Sequence, residues 1–211
     1  MIEIEKYSAV DREGVRDVCF STGFLGRSLE GIVDGRELFL DLATFYFLDV
    51  DSSGVFVAKD NGKVAGYVFV SDRAGYTAFA RGYFVRRTAA WLLKFWRISG
   101  KDAKYYYRFF LSFLRGEMRM PPLSQFPAAL HINVAEPYQR AGVGSMLFNA
   151  MFAYLQQVKC KGVLLHTTSA NEKGTMFFKK HGFEELLSIP SGFYKGWGMN
   201  DVKNIVMGKR L

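Results

Sequence analysis

Six residues, Gln139, Arg140, Ala141, Gly142, Val143 and Gly144, stand where a β-like run, "AALHINV", gives way to an apolar-periodic helix. The first N–H groups of a helix lack intrahelical partners and carry the positive end of its dipole. Two glycines there let the backbone come close to a bound group. The chemistry implied is anion binding, with main-chain N–H groups aimed at the oxygens of a pyrophosphate. Two phosphate motifs do not fit. No Gly-Lys-Ser/Thr completes a P-loop, and the glycines do not follow the first strand of a βαβ unit with an acid about 20 residues on.

His131, alone on its strand, reads as a satisfied structural histidine. Cys19 and Cys160 stand far apart without CxxC or His-rich spacing. They read as free thiols of a reducing cytoplasm, and no metal site is expected.

The elements that must position these groups follow from periodicity and turn chemistry. "IEIEKYSAV" alternates as a strand, and Ser8 with Asp11 forms a capping box for a helix over about 9–20. A glycine-rich connection at 23–35 leads to a helix in "GRELFLDLATFYFL". "SGVFVAKDNGKVAGYVFV" is a hairpin signal, turning at Asp60, Asn61 and Gly62. Gly142 to Gln157 reads as a helix with Val143, Met146, Leu147, Ala150 and Tyr154 on one face. "GVLLHTT" reads as a strand buried on both faces, followed by a helix over about 172–181 and strands "FEELLSI" and "KNIVMGKRL". The order β-α-α-β-β-(insert)-β-α-β-α-β-β gives an α/β domain on a mixed sheet. A length of 211 residues suits one such domain with an insertion.

Together, "VAEPYQRAGVGS" and "NEKGTMFFKKHGF" resemble the paired motifs of the GNAT superfamily, the acetyl-CoA-dependent N-acetyltransferases. The first is similar to Gln/Arg-x-x-Gly-x-Gly/Ala and the second to Asn-x-x-Ala-x-x-x-Tyr-x-x-x-Gly-Phe, separated by one helix and one strand. The resemblance covers about 1–75 and 126–211. It implies a mixed, mostly antiparallel central sheet with flanking helices and a helical insertion, 76–125, between strands 3 and 4. It implies acetyl-CoA as co-substrate: the main chain of Ile132 and Val134 along pantetheine, residues 139–145 around the pyrophosphate, and Asn171 and Phe178 on the far side. It further implies direct attack of a small-molecule or peptide amine on the thioester, with a base and a proton donor. The base positions of related enzymes fall on Ala128 and Leu130, and His131, one residue off, turns to the opposite face. Glu136, just past the strand, is therefore the preferred base and His166 a second one; Tyr194, Tyr138 and Tyr106 are candidate proton donors. Phe178 departs from the family's proton-donating Tyr, so another tyrosine or water takes that role, or the domain is a catalytically weak or inactive binding module. A looser likeness, in "CFSTGF", "FVAKDNGKVAGYV" and "LHINV", is to a bacterial group similar to the acetyltransferase-like domain of O-GlcNAc hydrolases. Proteins of the superfamily often form homodimers; no residue here argues for one.

The net charge of +8 is local. Residues 81–120 hold ten Lys or Arg against Asp102 and Glu117, so the rest of the chain is neutral. Arg87, Lys94, Lys101, Arg108 and Arg115 recur every seven residues among Trp91, Leu92, Phe95, Trp96, Phe109, Phe110 and Phe113. Gly100 suits a left-handed helix stop and Asp102 a new cap, giving two helices. Three readings stay open: a hairpin with a solvated basic face, a lid that selects an anionic acceptor, or a peripheral membrane surface. Nucleic acid is not expected, because no readout motif accompanies the charge. No secretory signal or run of 18 apolar residues stands out, which with the thiols points to the cytoplasm.

Overall fold

Strands and helices follow one another in the order β1 (Ile2–Lys6), α1 (Arg12–Thr22), α2 (Arg36–Phe45), β2 (Val55–Asp60), β3 (Lys63–Asp72), α3 (Arg73–Leu92), α4 (Gly100–Leu114), β4 (Ala128–Val134), α5 (Val143–Gln157), β5 (Gly162–Thr168), α6 (Glu172–Lys180), β6 (Glu184–Pro190) and β7 (Lys203–Arg210). This is a computed structural model that describes residues 1–92 and 98–211. Lys94, Phe95 and Trp96 of the sequence pattern, and the side chains of Arg87, Trp91 and Leu92, lie outside the described residues.

Seven strands form one sheet in the order β1-β2-β3-β4-β5-β7-β6. Every neighbouring pair is antiparallel except β4 with β5. The β2–β3 turn closes at Asn61 and Gly62 with φ of 49° and 78°, the positive pair that a two-residue hairpin turn requires. Side-chain alternation sorts the sheet into two faces. Val68 and Val70 on β3, with Leu130 and Ile132 opposite them on β4, pack beneath α5. Tyr67 and Phe69, opposite Asn133 and His131, look the other way, toward α1 and α2.

The face of α5 that is buried differs from the one the periodicity gives. Val143, Leu147, Phe148, Met151 and Leu155 go into the core, each worth about 1.5–3 kcal/mol on burial, whereas Met146 is exposed and Ala150 and Tyr154 sit at the margin. The sheet and α6 together present a stripe rotated by one residue: Phe148 is held by Phe177, Phe178 and Phe183.

Helices α3 and α4 lie between β3 and β4, with α3 following directly on β3 at Arg73. Phe79 and Tyr83 of α3 stack against Phe45 at the end of α2. Helix α4 starts at Gly100, which is its first residue rather than a left-handed stop, and its cap is Ser99, whose hydroxyl accepts from the Asp102 N–H at 3.1 Å. The Asp102 carboxylate serves elsewhere, accepting from the N–H groups of Asp34 and Gly35 at 2.9 and 3.0 Å. One carboxylate thereby fastens α4 to the connection between α1 and α2. On its other flank α4 meets the β6–β7 loop, where Arg108 donates to the Gly192 carbonyl and Tyr105 packs edge-on to Phe193.

Candidate active site

Strands β4 and β5 pair at only two positions, Ala128 with Val163 and Ala129 with Leu164. Beyond them the strands part, and their freed edges wall a cleft of ≈ 160 Å³. Its lining runs from Leu130 to Asn133 on β4 and from Leu165 to Thr168 on β5, with Asn171, Phe178, Tyr194, Leu25 and Gly26 around it. The register that matches Ala129 to Leu164 brings His131 level with His166 across the gap, and alternation puts both on the α1–α2 face.

Of the residues singled out in the sequence, Ile132, His166, Asn171, Phe178 and Tyr194 line this cleft. Val134 lies at the end of β4, partly buried beneath α5. Glu136 is outside the cleft: the strand ends at Val134, and the short turn Glu136–Tyr138 carries the carboxylate to the exposed surface. His131 is on the face opposite Leu130, as alternation requires, but that face opens on the cleft rather than closing on a core. Its imidazole Nδ1 lies 3.4 Å from the Tyr67 hydroxyl, which also accepts from Asn133 Nδ2 at 3.0 Å and bonds the Cys19 thiol. Thr167 and Thr168 carried no signal in the sequence, because a threonine at a strand end looks the same whether or not it borders a cleft.

Surrounding protein sets the protonation of these groups. His131 is exposed along the cleft wall, and the protein packed around it lowers its pKa by desolvation to about 4. His166 is lowered too, by desolvation first and then by the charge of Arg73. Arg73 opens α3 and donates to the carbonyls of Phe126 at 2.6 Å and Pro121 at 3.0 Å. Burial raises Tyr194 to about 12. At neutral pH both histidines are therefore uncharged acceptors, and Tyr194 keeps its proton.

The loop beside the cleft is built by two different glycines. Gly142 is the N-cap of α5 at φ 80°, and Arg140 also has positive φ, at 66°. A left-handed arginine is strained, and such strain persists only where the surroundings impose it. Gly144 answers a different need: a Cβ there would come 3.0 Å from the Phe177 ring, so the glycine allows α6 to close on α5 rather than clearing space for an anion. Val143 is buried, Gly144 and Ser145 are half-buried, and Gln139, Arg140 and Ala141 are exposed. Gln139 donates its side-chain amide to the Val134 carbonyl at 3.1 Å, tying the loop to the strand end. Among the described residues, the main-chain N–H groups of Arg140 to Gly144 have no hydrogen-bond acceptor. Thr168 Oγ1, on the cleft wall and 7% exposed, is likewise without a partner. Asn171 caps α6 by accepting from the Gly174 N–H at 3.1 Å and extends its amide toward Thr167 Oγ1 at 3.4 Å. These unpaired donors and acceptors fit a long polar ligand with an anionic end at the loop.

Residues 113–183 match the family model described as Acetyltransferase (GNAT) family. Among solved structures, the crystal structure of SsHAT superposes with a TM-score of 0.76 at 22% identity, covering 99% of this chain and 98% of that one. A GCN5-related N-acetyltransferase from Kribbella flavida gives 0.62 at 14% identity, over 100% and 98%. The ribosomal-protein-alanine N-acetyltransferase from Brucella melitensis gives 0.58 at 15%, over 99% of both chains. No curated protein sequence matches. The chain thus has the GNAT fold from end to end, and its residues 113–183, which hold β4, the glycine loop, α5, β5 and α6, carry the match to the acetyltransferase family model.

Proposed function

We propose that the protein transfers an acetyl group from acetyl-CoA to the amine of a small-molecule or peptide acceptor. The observation that carries the reading is the parting of β4 and β5 beside a helix start with unpaired N–H groups. The N–H groups of residues 140–144 hold the pyrophosphate, with Gln139 bracing the loop and Ser145 within the same first turn of α5. The freed main chain at Ile132 and Val134 holds the pantetheine arm, and Asn171, Thr168 and Phe178 close the opposite wall. When bound, acetyl-CoA supplies the activated acetyl thioester.

The acceptor amine reaches the α1–α2 face, where His166, neutral at pH 7, takes its proton directly or through water. His131 is the poorer base, since a pKa near 4 gives little driving force at neutral pH. Tyr194 keeps its proton and can donate it to the departing thiolate, a task that Phe178 cannot perform. Glu136, exposed on the turn after β4 and not among the residues that line the cleft, is the less well placed base. No feature of the site narrows the protein to the group resembling the O-GlcNAc hydrolase domain.

Calorimetric titration with acetyl-CoA tests the reading. Binding in about the micromolar range is expected. It should be lost in Gly142→Glu and kept in Gly142→Asn, because asparagine tolerates positive φ and adds no charge. Equal affinity in all three proteins would refute the loop assignment, and no binding by the parent would retire the enzyme.

A further inference from the structure

Helix α4 carries an apolar strip that is exposed among the described residues. Tyr107, Phe110, Phe113 and Leu114 are each more than half exposed, Phe109 is exposed beside them, and Met120 and Leu123 continue the surface past the helix. At 100° per residue, Tyr107, Phe110, Phe113 and Leu114 share one side of the helix, while Tyr105, Arg108 and Ser112 face the protein. An exposed strip of this kind on a folded domain marks an interaction surface. Lys104, Arg115 and Arg119 rim it and are themselves exposed. The one acid between residues 103 and 124 is Glu117, which is buried, bound to Ser112, Ser191 and the Gly192 N–H, and 3.7 Å from the Arg115 guanidinium. Arg115 is thereby paired, and Lys104 and Arg119 keep the rim cationic.

We infer that this face of α4 docks the protein on an anionic lipid surface. Phenylalanine and leucine side chains enter the headgroup–acyl boundary while lysine and arginine meet the lipid phosphates, the division of labour of interfacial helices. A second copy of the chain fits less well. A two-fold pairing sets the same patch against itself, so a rim made cationic by Lys104 and Arg119 would face a second rim of the same sign. Nucleic acid fits the charge and the rings but gives Leu114, Met120 and Leu123 nothing to stack on. Helix α4 also fixes, through Asp102 and Arg108, the two loops that bear Leu25 and Tyr194 of the cleft. Docking by its outer face thus holds the acceptor side of the cleft next to the lipid.

Vesicle co-sedimentation of the full chain decides it. Phosphatidylcholine vesicles with about one third phosphatidylglycerol should bind at least about tenfold more protein than pure phosphatidylcholine. That binding should weaken between about 0.1 and 0.5 M salt. Phe110→Ser with Phe113→Ser, and separately Lys104→Glu with Arg119→Glu, should each abolish it while circular dichroism and melting temperature stay unchanged. Absence of binding to the anionic vesicles at low salt would overturn the inference, as would full binding by the serine variant. So would a concentration-dependent dimer in sedimentation that the serine variant loses, or binding of an RNA homopolymer that competes with the vesicles and survives the serine changes. Acetyl-CoA titration of the same variants is expected to match the parent, so the outcome is independent of the enzymatic reading.

Discussion

Removing the Asp102 carboxylate should loosen the wall of the acceptor site without touching the acetyl-CoA loop. Asp102 is 6% exposed, and one of its oxygens accepts from both Asp34 N–H at 2.9 Å and Gly35 N–H at 3.0 Å. Hydrogen bonds to a charged group contribute about 1.5–3 kcal/mol each, and two sharing one oxygen are less than additive. The carboxylate also sits in the first turn of α4, where the helix dipole adds roughly 0.5 kcal/mol. Asp102→Ala leaves two N–H groups without an acceptor and should cost about 3–4 kcal/mol. For a chain of this length that lowers the melting temperature by about 6–16 °C. Asp102→Asn keeps an oxygen acceptor but loses the charge, and should cost about half as much. Differential scanning calorimetry reads both, alongside acetyl-CoA affinity and acceptor KM. Expected are a graded loss of stability, unchanged acetyl-CoA binding and a raised acceptor KM. A loss below about 1 kcal/mol for the alanine variant, or equal losses for both variants, would refute the reasoning, since the charged clamp would then hold nothing.

Three further outcomes follow from the site. Tyr194→Phe should lower kcat by about 10²-fold with acetyl-CoA affinity unchanged, as steady-state kinetics and calorimetry would show; an unchanged kcat would hand the proton to water. The pKa of His131 lies below its unfolded value of 6.5, so in the window between them the unfolded chain binds more protons. Stability should therefore hold above pH 6.5 and fall as the pH drops from 6.5 toward 4, and His131→Asn should flatten that limb in urea titrations across the range. Gly144→Ala sets a Cβ 3.0 Å from the Phe177 ring, and should cost about 1–3 kcal/mol in denaturant unfolding; a neutral result would mean that α6 is free to shift.

The sequence alone determined what is local or repeats at fixed spacing. The element order, the Ser8–Asp11 capping box, the Asn61–Gly62 turn and the glycine loop before α5 were all legible, because each rests on residues a few positions apart. Asn171 as the cap of α6 was legible for the same reason. Tertiary structure decided which side of each element is open. Alternation gives His131 a face but cannot say that β4 and β5 part beside it, so a histidine that reads as structural stands on the cleft wall. Glu136 reads as near the cleft in sequence, yet the chain turns at Val134 and carries it away. Gly142 and Gly144 look equivalent, but one is set by its own backbone angle and the other by the Phe177 ring of a different helix. Asp102 suits a helix cap by its neighbours, and its carboxylate is taken by backbone about 70 residues away. Contacts between distant segments arise only when the sheet brings them together, and no periodicity along the chain records them.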